Sequence, residues 1–416
     1  MSGVPTGPPR SVLVVGASLA GHATARALRA SGFAGPVTLV GEEPERPYDR
    51  PPLSKAFLAG RLEAADLALE ASGEDLVAEW LLGVPAQALD VATRTVTLAD
   101  GRRLSADAVV LATGSRARRL PQTSGSAPLA GVHTVRTLAD ARALREELVP
   151  GVRVVVVGAG FIGAEVASTA QSMGLAVTVV EAAPAPLAGP LGVELGLAVA
   201  ALHERHGVHL ECGVPVARLT GEGRVSGVEL VDGTVLPADV VVVGIGSVPA
   251  VDWLVGSGLD VSAGVVCSST GAAAPGVWAV GDCSAWYDPV RGHAQRLEHW
   301  TDALERPVAM VKAMLGQPAG TLRAPYFWSE QYGVMIQFAG RHLGGEQVRI
   351  EAGSAATGDI LATYRRPGAQ GQDEVVAVLG MDQPRLFTRA RRGLAATPVD
   401  PAVLPALTPA VPQPVA

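Results

Sequence analysis

The chain has 416 residues, of which 48% are hydrophobic and 18% charged, with 49 glycines and a formal net charge of −7. Single cores stop growing at about 250–300 residues, so two or three domains are expected, and the glycine-rich, weakly charged composition excludes disorder for most of the chain and favours an α/β protein. The acidic balance argues against a nucleic-acid partner, whose phosphates call for a basic face; the longest apolar runs, such as 154–159 and 240–245, fall far below the ~18 residues that span a bilayer.

In chain order, residues 1–10 carry Pro and Gly without a basic leader, so a cytoplasmic protein is expected. An apolar run at 12–15 leads into Gly16-Ala17-Ser18-Leu19-Ala20-Gly21, then a helix-compatible Ala/Arg/Leu stretch, then a second apolar run at 37–40. That is strand, glycine turn, helix, strand. The pattern returns at 154–157 with Gly158-Ala159-Gly160-Phe161-Ile162-Gly163, a helix through Met173 and a strand at 176–180. Asp100-Gly101 and Asp232-Gly233 each sit between short alternating segments and are expected to be type I′ hairpin turns. Each is followed by a near-identical run, Ala106-Asp107-Ala108-Val109-Val110 up to Gly114-Ser115 and Ala238-Asp239-Val240-Val241-Val242 up to Gly246-Ser247, at one shared offset. A duplicated nucleotide-binding domain is the economical reading. Further on come Val277-Trp278-Ala279-Val280-Gly281-Asp282, a helix-like stretch near 300–315 and Gly-punctuated aromatic segments from 325 that read as a small α+β domain. A Pro/Ala/Val tail from 396 is expected to be disordered.

A glycine turn between strand and helix lets the backbone approach a pyrophosphate while the helix N-terminus offers it free N–H groups. One such turn is weak evidence, and the first has Ser18 at its middle glycine position, but two in matching context make chance an unattractive explanation. Each turn also needs an acid after its second strand for the adenosine ribose hydroxyls; Glu42 and Glu181 stand there, although either alone could be a solvated strand end. After Glu181 no Arg or Lys occurs before Arg205, so a 2′-phosphate would meet a carboxylate without a local cation, which favours NAD over NADP.

With these turns, the segments Arg46-Pro47-Tyr48-Asp49-Arg50-Pro51-Pro52-Leu53-Ser54-Lys55, Leu111-Ala112-Thr113-Gly114, Val135-Arg136-Thr137-Leu138, Ala279-Val280-Gly281-Asp282-Cys283 and Glu298-His299-Trp300 occur in the order found in bacterial NADH-dependent ferredoxin reductases. The chain resembles that family, the putidaredoxin, rhodocoxin and biphenyl-dioxygenase type reductases related to rubredoxin reductase and apoptosis-inducing factor, over roughly residues 10–395. The resemblance implies two Rossmann-like, glutathione-reductase-like domains plus a C-terminal α+β domain, with an FAD domain split between 1–117 and 248–322, an NAD domain at 118–247, a third domain at 323–395 and the tail at 396–416.

It also implies residue roles. FAD is expected on Gly16, Ser18, Leu19, Ala20, Gly21, Glu42, Arg46, Arg50, Lys55, Ala86, Ala112, Thr113, Gly114, Arg136, Gly281, Asp282, Glu298, His299 and Trp300, with Asp282 holding the ribityl chain. NADH is expected on Gly158, Gly160, Phe161, Ile162, Gly163, Glu165, Glu181 and Gly246. The implied catalytic residues are Lys55 near the flavin, its partner Glu165, and Trp300 beside the isoalloxazine and nicotinamide rings. Pro307, where relatives continue Gln or Ala, leaves the helix geometry open there, because an interior proline costs about 3 kcal/mol. The implied reaction is hydride transfer from NADH to FAD, followed by single-electron transfer to a 2Fe–2S or 3Fe–4S ferredoxin that feeds a cytochrome P450 or ring-hydroxylating oxygenase.

Ferredoxins are typically acidic, so docking calls for a local basic surface. Arg385, Arg389, Arg391 and Arg392 are the densest candidate, with Arg306 and Lys312 as neighbours. Two rival readings stand beside this one. An NADH oxidase or peroxidase would want a cysteine within 42–57, whereas the three cysteines lie at 212, 267 and 283 with no CxxC or CxxxxC spacing. A slow redox-responsive flavoprotein resembling apoptosis-inducing factor is the other. His203, His206, His209 and Cys212 imitate a metal set, but they divide between a helix end and a strand of opposite parity, so no metal is expected.

Overall fold

The computed structural model describes residues 7–121, 129–354, 358–368 and 372–399. Val12–Val15 is a fully buried strand, and continuous β-branched runs of this kind suit the interior of a parallel sheet covered on both faces. It pairs in parallel with Val37–Val40 on one side and Ala108–Leu111 on the other. Glu79–Leu81 lies at one edge, and Val277–Ala279 joins beyond Ala108–Leu111, followed by Ala272–Ala274. The second sheet repeats this plan: Arg153–Val157 pairs in parallel with Ala176–Glu181 and Val240–Val243, with His209–Cys212 and Val132–His133 outside them.

Each sheet carries a three-stranded antiparallel meander, 86–105 in the first lobe and 216–237 in the second. Their turns differ from the type I′ geometry expected from sequence. In the Asp100-Gly101 and Asp232-Gly233 turns only the glycine has positive φ, +86° at Gly101 and +90° at Gly233. Leu98 N donates to Arg102 O and Gly101 N to Leu98 O, with the same pair of bonds at Leu230, Thr234 and Gly233, so each loop is longer than two residues. The Asp side chain instead accepts the backbone N–H two residues on, from Arg102 and from Thr234, which keeps Asp out of the left-handed region.

The chain crosses between lobes through Ser115–Ala117 and Ser247–Pro249, which pair antiparallel. The third lobe is a five-stranded antiparallel sheet in the order 326–331, 334–340, 373–381, 359–367, 347–354. Helix Pro384–Arg391 lies on it through the buried ring of Phe387. The helix Trp300–Met314 runs through Pro307 without a break and packs Met310, Val311 and Met314 into the first lobe's core, so the proline forfeits one intrahelical bond and leaves the helix standing. Within the tail expected to be disordered from 396, Thr397–Pro398 pairs with Thr321–Leu322; the rest of that expectation falls on 400–416, which lie outside the described residues. No helix among the described residues is long and apolar enough to cross a membrane.

Candidate active site

Both glycine turns open on one cleft of about 1130 Å³ between the lobes, above the roughly 300–1,000 Å³ of ordinary ligand pockets. At Gly16 φ is +115° and an added Cβ would lie 2.0 Å from the Ala112 carbonyl oxygen; at Gly158 φ is +99° and the Cβ would lie 2.5 Å from that of Gly244. Only glycine lets these backbones pass so close to the neighbouring strand ends. The result is that helices Leu19–Ala30 and Phe161–Ser172 both aim their N-termini at the cleft. Gly160 has no heavy atom nearer than 3.8 Å to an added Cβ, so that position is open. Ser18, its counterpart, accepts hydrogen bonds from Arg50 Nε and Nη2 at 3.3 and 3.2 Å.

Arg50 is the hub of the first half-site. It also donates to Glu43 Oε1 and the Arg136 carbonyl, each at 2.5 Å, and to Tyr48 Oη at 3.1 Å. Burial opposes its charge, but the neighbouring Tyr48 and Glu43 outweigh that, and its pKa is raised. Arg136 is set by the start of the next helix, Leu138–Glu147. Thr137 Oγ1 accepts from Asp140 N at 3.1 Å, while Asp140 Oδ2 accepts from the N–H of Arg136 and of Thr137. Such a capping box stabilises the helix start by about 1 kcal/mol. The arginine so placed donates to Asp282 Oδ2 at 2.8 Å and the Ser115 carbonyl at 2.9 Å, and Ser115 Oγ donates to the same Asp282 oxygen at 3.0 Å.

Pro51 and Pro52 pre-set φ for the 3₁₀ turn Pro51–Ser54, which delivers Ser54 and Lys55 to the second lobe. Lys55 Nζ lies 2.6 Å from Glu165 Oε2, and Ser54 Oγ donates to that oxygen at 2.5 Å. Glu165 is 4% exposed, so removing the lysine would strand a buried charge at a cost of about 3–5 kcal/mol. Trp300 opens its helix with Nε1 donating to Asp49 Oδ1 at 2.7 Å and its ring edge-on to Trp328 at 5.5 Å. Phe161 meets Phe327 at 4.5 Å. In the second half-site, Glu181 Oε2 accepts from Ala159 N at 2.7 Å and Oε1 from Ala183 N at 2.9 Å. Glu42 is 63% exposed at its side chain and lies 3.4 Å from Arg116.

Every residue expected to hold FAD lines the cleft except Gly21, and every one expected to hold NADH does so except Gly158 and Gly163. Those three sit behind it. A Cβ on Gly21 or Gly163 would lie 1.8 or 1.9 Å from the carbonyl oxygen of Gly16 or Gly158, so these glycines pack helix against turn. Sequence reasoning gave no role to Glu43, Tyr48, Asp49, Ser54, Ser115, Phe327, Trp328 or Ser329. Tyr48, Asp49 and Ser54 lay within the quoted Arg46–Lys55 segment, and the aromatic pair stood out in a chain with only 4% aromatic residues.

Elsewhere, three expectations take definite form. Arg306 does not join a docking surface: it is 8% exposed, paired with Asp302 at 3.1 Å and stacked over Trp286, because its helix face turns into the first lobe. Arg385, Arg389 and Arg392 share one exposed face, whereas the Arg391 guanidinium lies 3.9 Å from the Tyr326 ring centroid. His203 and His206 both engage Tyr332, by a 2.8 Å contact and by ring stacking, while His209 turns to Glu211.

Two glycine turns on a common cleft, with Glu42 and Glu181 after their second strands, fit a bound FAD together with a nicotinamide dinucleotide. A family model described as pyridine nucleotide-disulphide oxidoreductase matches residues 10–306, and one described as reductase C-terminal matches 326–407. The chain belongs to the pyridine nucleotide-disulphide oxidoreductase family. It is 39% identical to the ferredoxin reductase component of chlorobenzene dioxygenase from Cupriavidus sp. (strain PS12), covering 92% of this chain and 91% of that protein. It is 35% identical to rhodocoxin reductase of Rhodococcus erythropolis over 92% and 89%. The solved covalent putidaredoxin reductase–putidaredoxin complex superposes with a TM-score of 0.85 at 33% identity, covering 92% of each chain.

Proposed function

We infer that the protein is an NADH-dependent ferredoxin reductase. When bound, FAD would supply the means of taking a hydride from NADH and passing electrons singly to an iron–sulfur ferredoxin, which would serve a cytochrome P450 or a ring-hydroxylating oxygenase. The observation that carries the reading is the single cleft receiving both glycine turns, with Lys55 and Glu165 joining the two lobes across it and no cysteine on its lining. Cys267 and Cys283 are buried, and burial pushes both thiols up, so neither offers the thiolate that disulfide chemistry needs.

The chain's own residues have clear tasks in this reading. Arg136 and Ser115 hold Asp282 toward the ribityl position, Lys55 sets a cation near the reacting edge, and Asp49 fixes the tilt of Trp300. Phe161, Phe327, Trp300 and Trp328 exclude water. The FAD domain is assigned to 1–117 and 248–322 and the NAD domain to 118–247, limits that fall at the paired crossing strands. A cytoplasmic location suits such a reductase. The acidic ferredoxin is assigned to the exposed Arg385, Arg389 and Arg392, with Arg391 beside them on Tyr326.

The test is NADH-driven cytochrome c reduction with and without added ferredoxin, beside stopped-flow flavin reduction. Ferredoxin should raise the rate, and Arg389→Glu with Arg392→Glu should raise the KM for ferredoxin and flatten its salt dependence without slowing flavin reduction. A ferredoxin-independent rate would overturn the reading, and unchanged ferredoxin kinetics in the double variant would remove the docking assignment.

A further inference from the structure

Glu165 is served by all three lobes. Its Oε2 is taken by Lys55 and Ser54 of the first lobe, and its Oε1 accepts a 2.8 Å bond from Ser329 Oγ, on the first strand of the C-terminal sheet. Ser329 is 0% exposed, as is Gln331. Gln331 Nε2 donates to Ser329 Oγ at 3.1 Å, which occupies an acceptor lobe of the hydroxyl and leaves its proton for the carboxylate. Thr169, one turn further along the Glu165 helix, donates to the Ser54 carbonyl at 2.8 Å and ties the lysine-bearing turn to the same helix.

We propose that Ser329, oriented by Gln331, is a positioning residue for NADH oxidation. Through Glu165 it fixes where Lys55 sits at the reacting edge, so the C-terminal lobe sets the rate of flavin reduction as well as lying beside the cleft. Two bonds on Oε2 and none on Oε1 would let the buried carboxylate rotate toward the first lobe and carry the ammonium with it. This rests on the NADH and FAD reading above.

The experiment uses the full FAD-loaded chain as wild type, Ser329→Ala, Ser329→Thr and Gln331→Met. Single-turnover flavin reduction at saturating NADH should fall about tenfold in Ser329→Ala, by a smaller factor in Gln331→Met, and recover to within about twofold in Ser329→Thr, since small displacements of a reacting group cost rates of this order. NAD⁺ affinity, from spectral titration, should be unchanged. The visible circular dichroism of the bound flavin should change in Ser329→Ala and return in Ser329→Thr. Wild-type rate and dichroism in Ser329→Ala, or a loss in Ser329→Thr equal to that in Ser329→Ala, would overturn the proposal. If Ser329→Ala fails to fold, an undiminished rate in Gln331→Met does the same. Wild type that NADH cannot bleach strikes the functional reading itself and removes this proposal with it.

Discussion

The two lobes begin from the same strand–turn–helix–strand unit and hold their turns in different ways. In the first, the middle position is Ser18 and the turn is braced by side chains: Arg50 on the serine, then Glu43, Tyr48 and the Arg136 carbonyl on Arg50. In the second, the middle position is Gly160 and the bracing is backbone to carboxylate, Ala159 and Ala183 on Glu181. A side-chain cage suits a cofactor that stays, and a bare backbone rim suits one that comes and goes. The two turns share a frame and differ in what surrounds the middle glycine position.

The largest expected effect comes from exchanging sterics between the turns. Gly16→Val should abolish FAD retention, because its Cβ would lie 2.0 Å from the Ala112 carbonyl oxygen, as absorbance of the purified protein would record. Gly160→Ala should leave FAD bound and the fold intact, the nearest atom being 3.8 Å away, while weakening NADH. A Gly160→Ala protein that loses its flavin would break the contrast.

Acid stability should follow the second lobe next. Burial lowers the pKa of His203 from 6.5 to about 4, helped by His206. The unfolded chain therefore binds a proton that the folded one refuses, and stability present above pH 6.5 is lost as pH falls toward about 4. The loss from this residue is on the order of 3 kcal/mol. His22, buried in the first lobe's helix, is also lowered by burial, but Glu74 works against the shift. Urea titrations across this pH range should show a shallower acid slope in His203→Leu than in His22→Leu; equal slopes would assign the acid step elsewhere.

Nucleotide choice comes third. Glu181→Arg should shift the NADPH-to-NADH ratio of kcat/KM about tenfold, or roughly 1.4 kcal/mol, by replacing a repulsive carboxylate with a cation. Glu42→Ala, at an exposed side chain, should change FAD affinity only a few-fold by fluorescence titration. Equal nucleotide ratios in wild type and Glu181→Arg would contradict the assignment. The smallest effect is expected from replacing Cys212, Cys267 and Cys283 together by Ala. NADH-dependent flavin reduction should persist in the folded, FAD-loaded protein, although two buried thiols are lost from the first lobe; abolition of reduction there would revive thiol chemistry.

Much of this was legible in the residues. Both turns, their strands and the acids after them declare themselves locally, through glycine spacing and continuous apolar runs of strand length. The meander turns were misjudged because Asp-Gly favours type I′ only in a two-residue loop, and loop length depends on how the flanking strands pair. Ser329 was invisible for a different reason: its partner Glu165 lies 164 positions away, and a lone serine in a strand carries no spacing signal. Arg306 looked like surface because sequence shows a charge and not the face on which its helix turns inward.

The strand Val277–Ala279 completes the first sheet against Val109–Leu111, and Asp282 follows it directly. The first parallel sheet is thus drawn from residues 12–279, whereas the second uses only residues 132–243. During synthesis the second lobe has its whole parallel sheet in hand while the first still lacks a strand and Asp282. Domains fold as units when their sequence is available, so the second lobe is expected to mature before the first. A nascent chain stopped before Asp282 would then carry a folded second lobe on an incomplete first one.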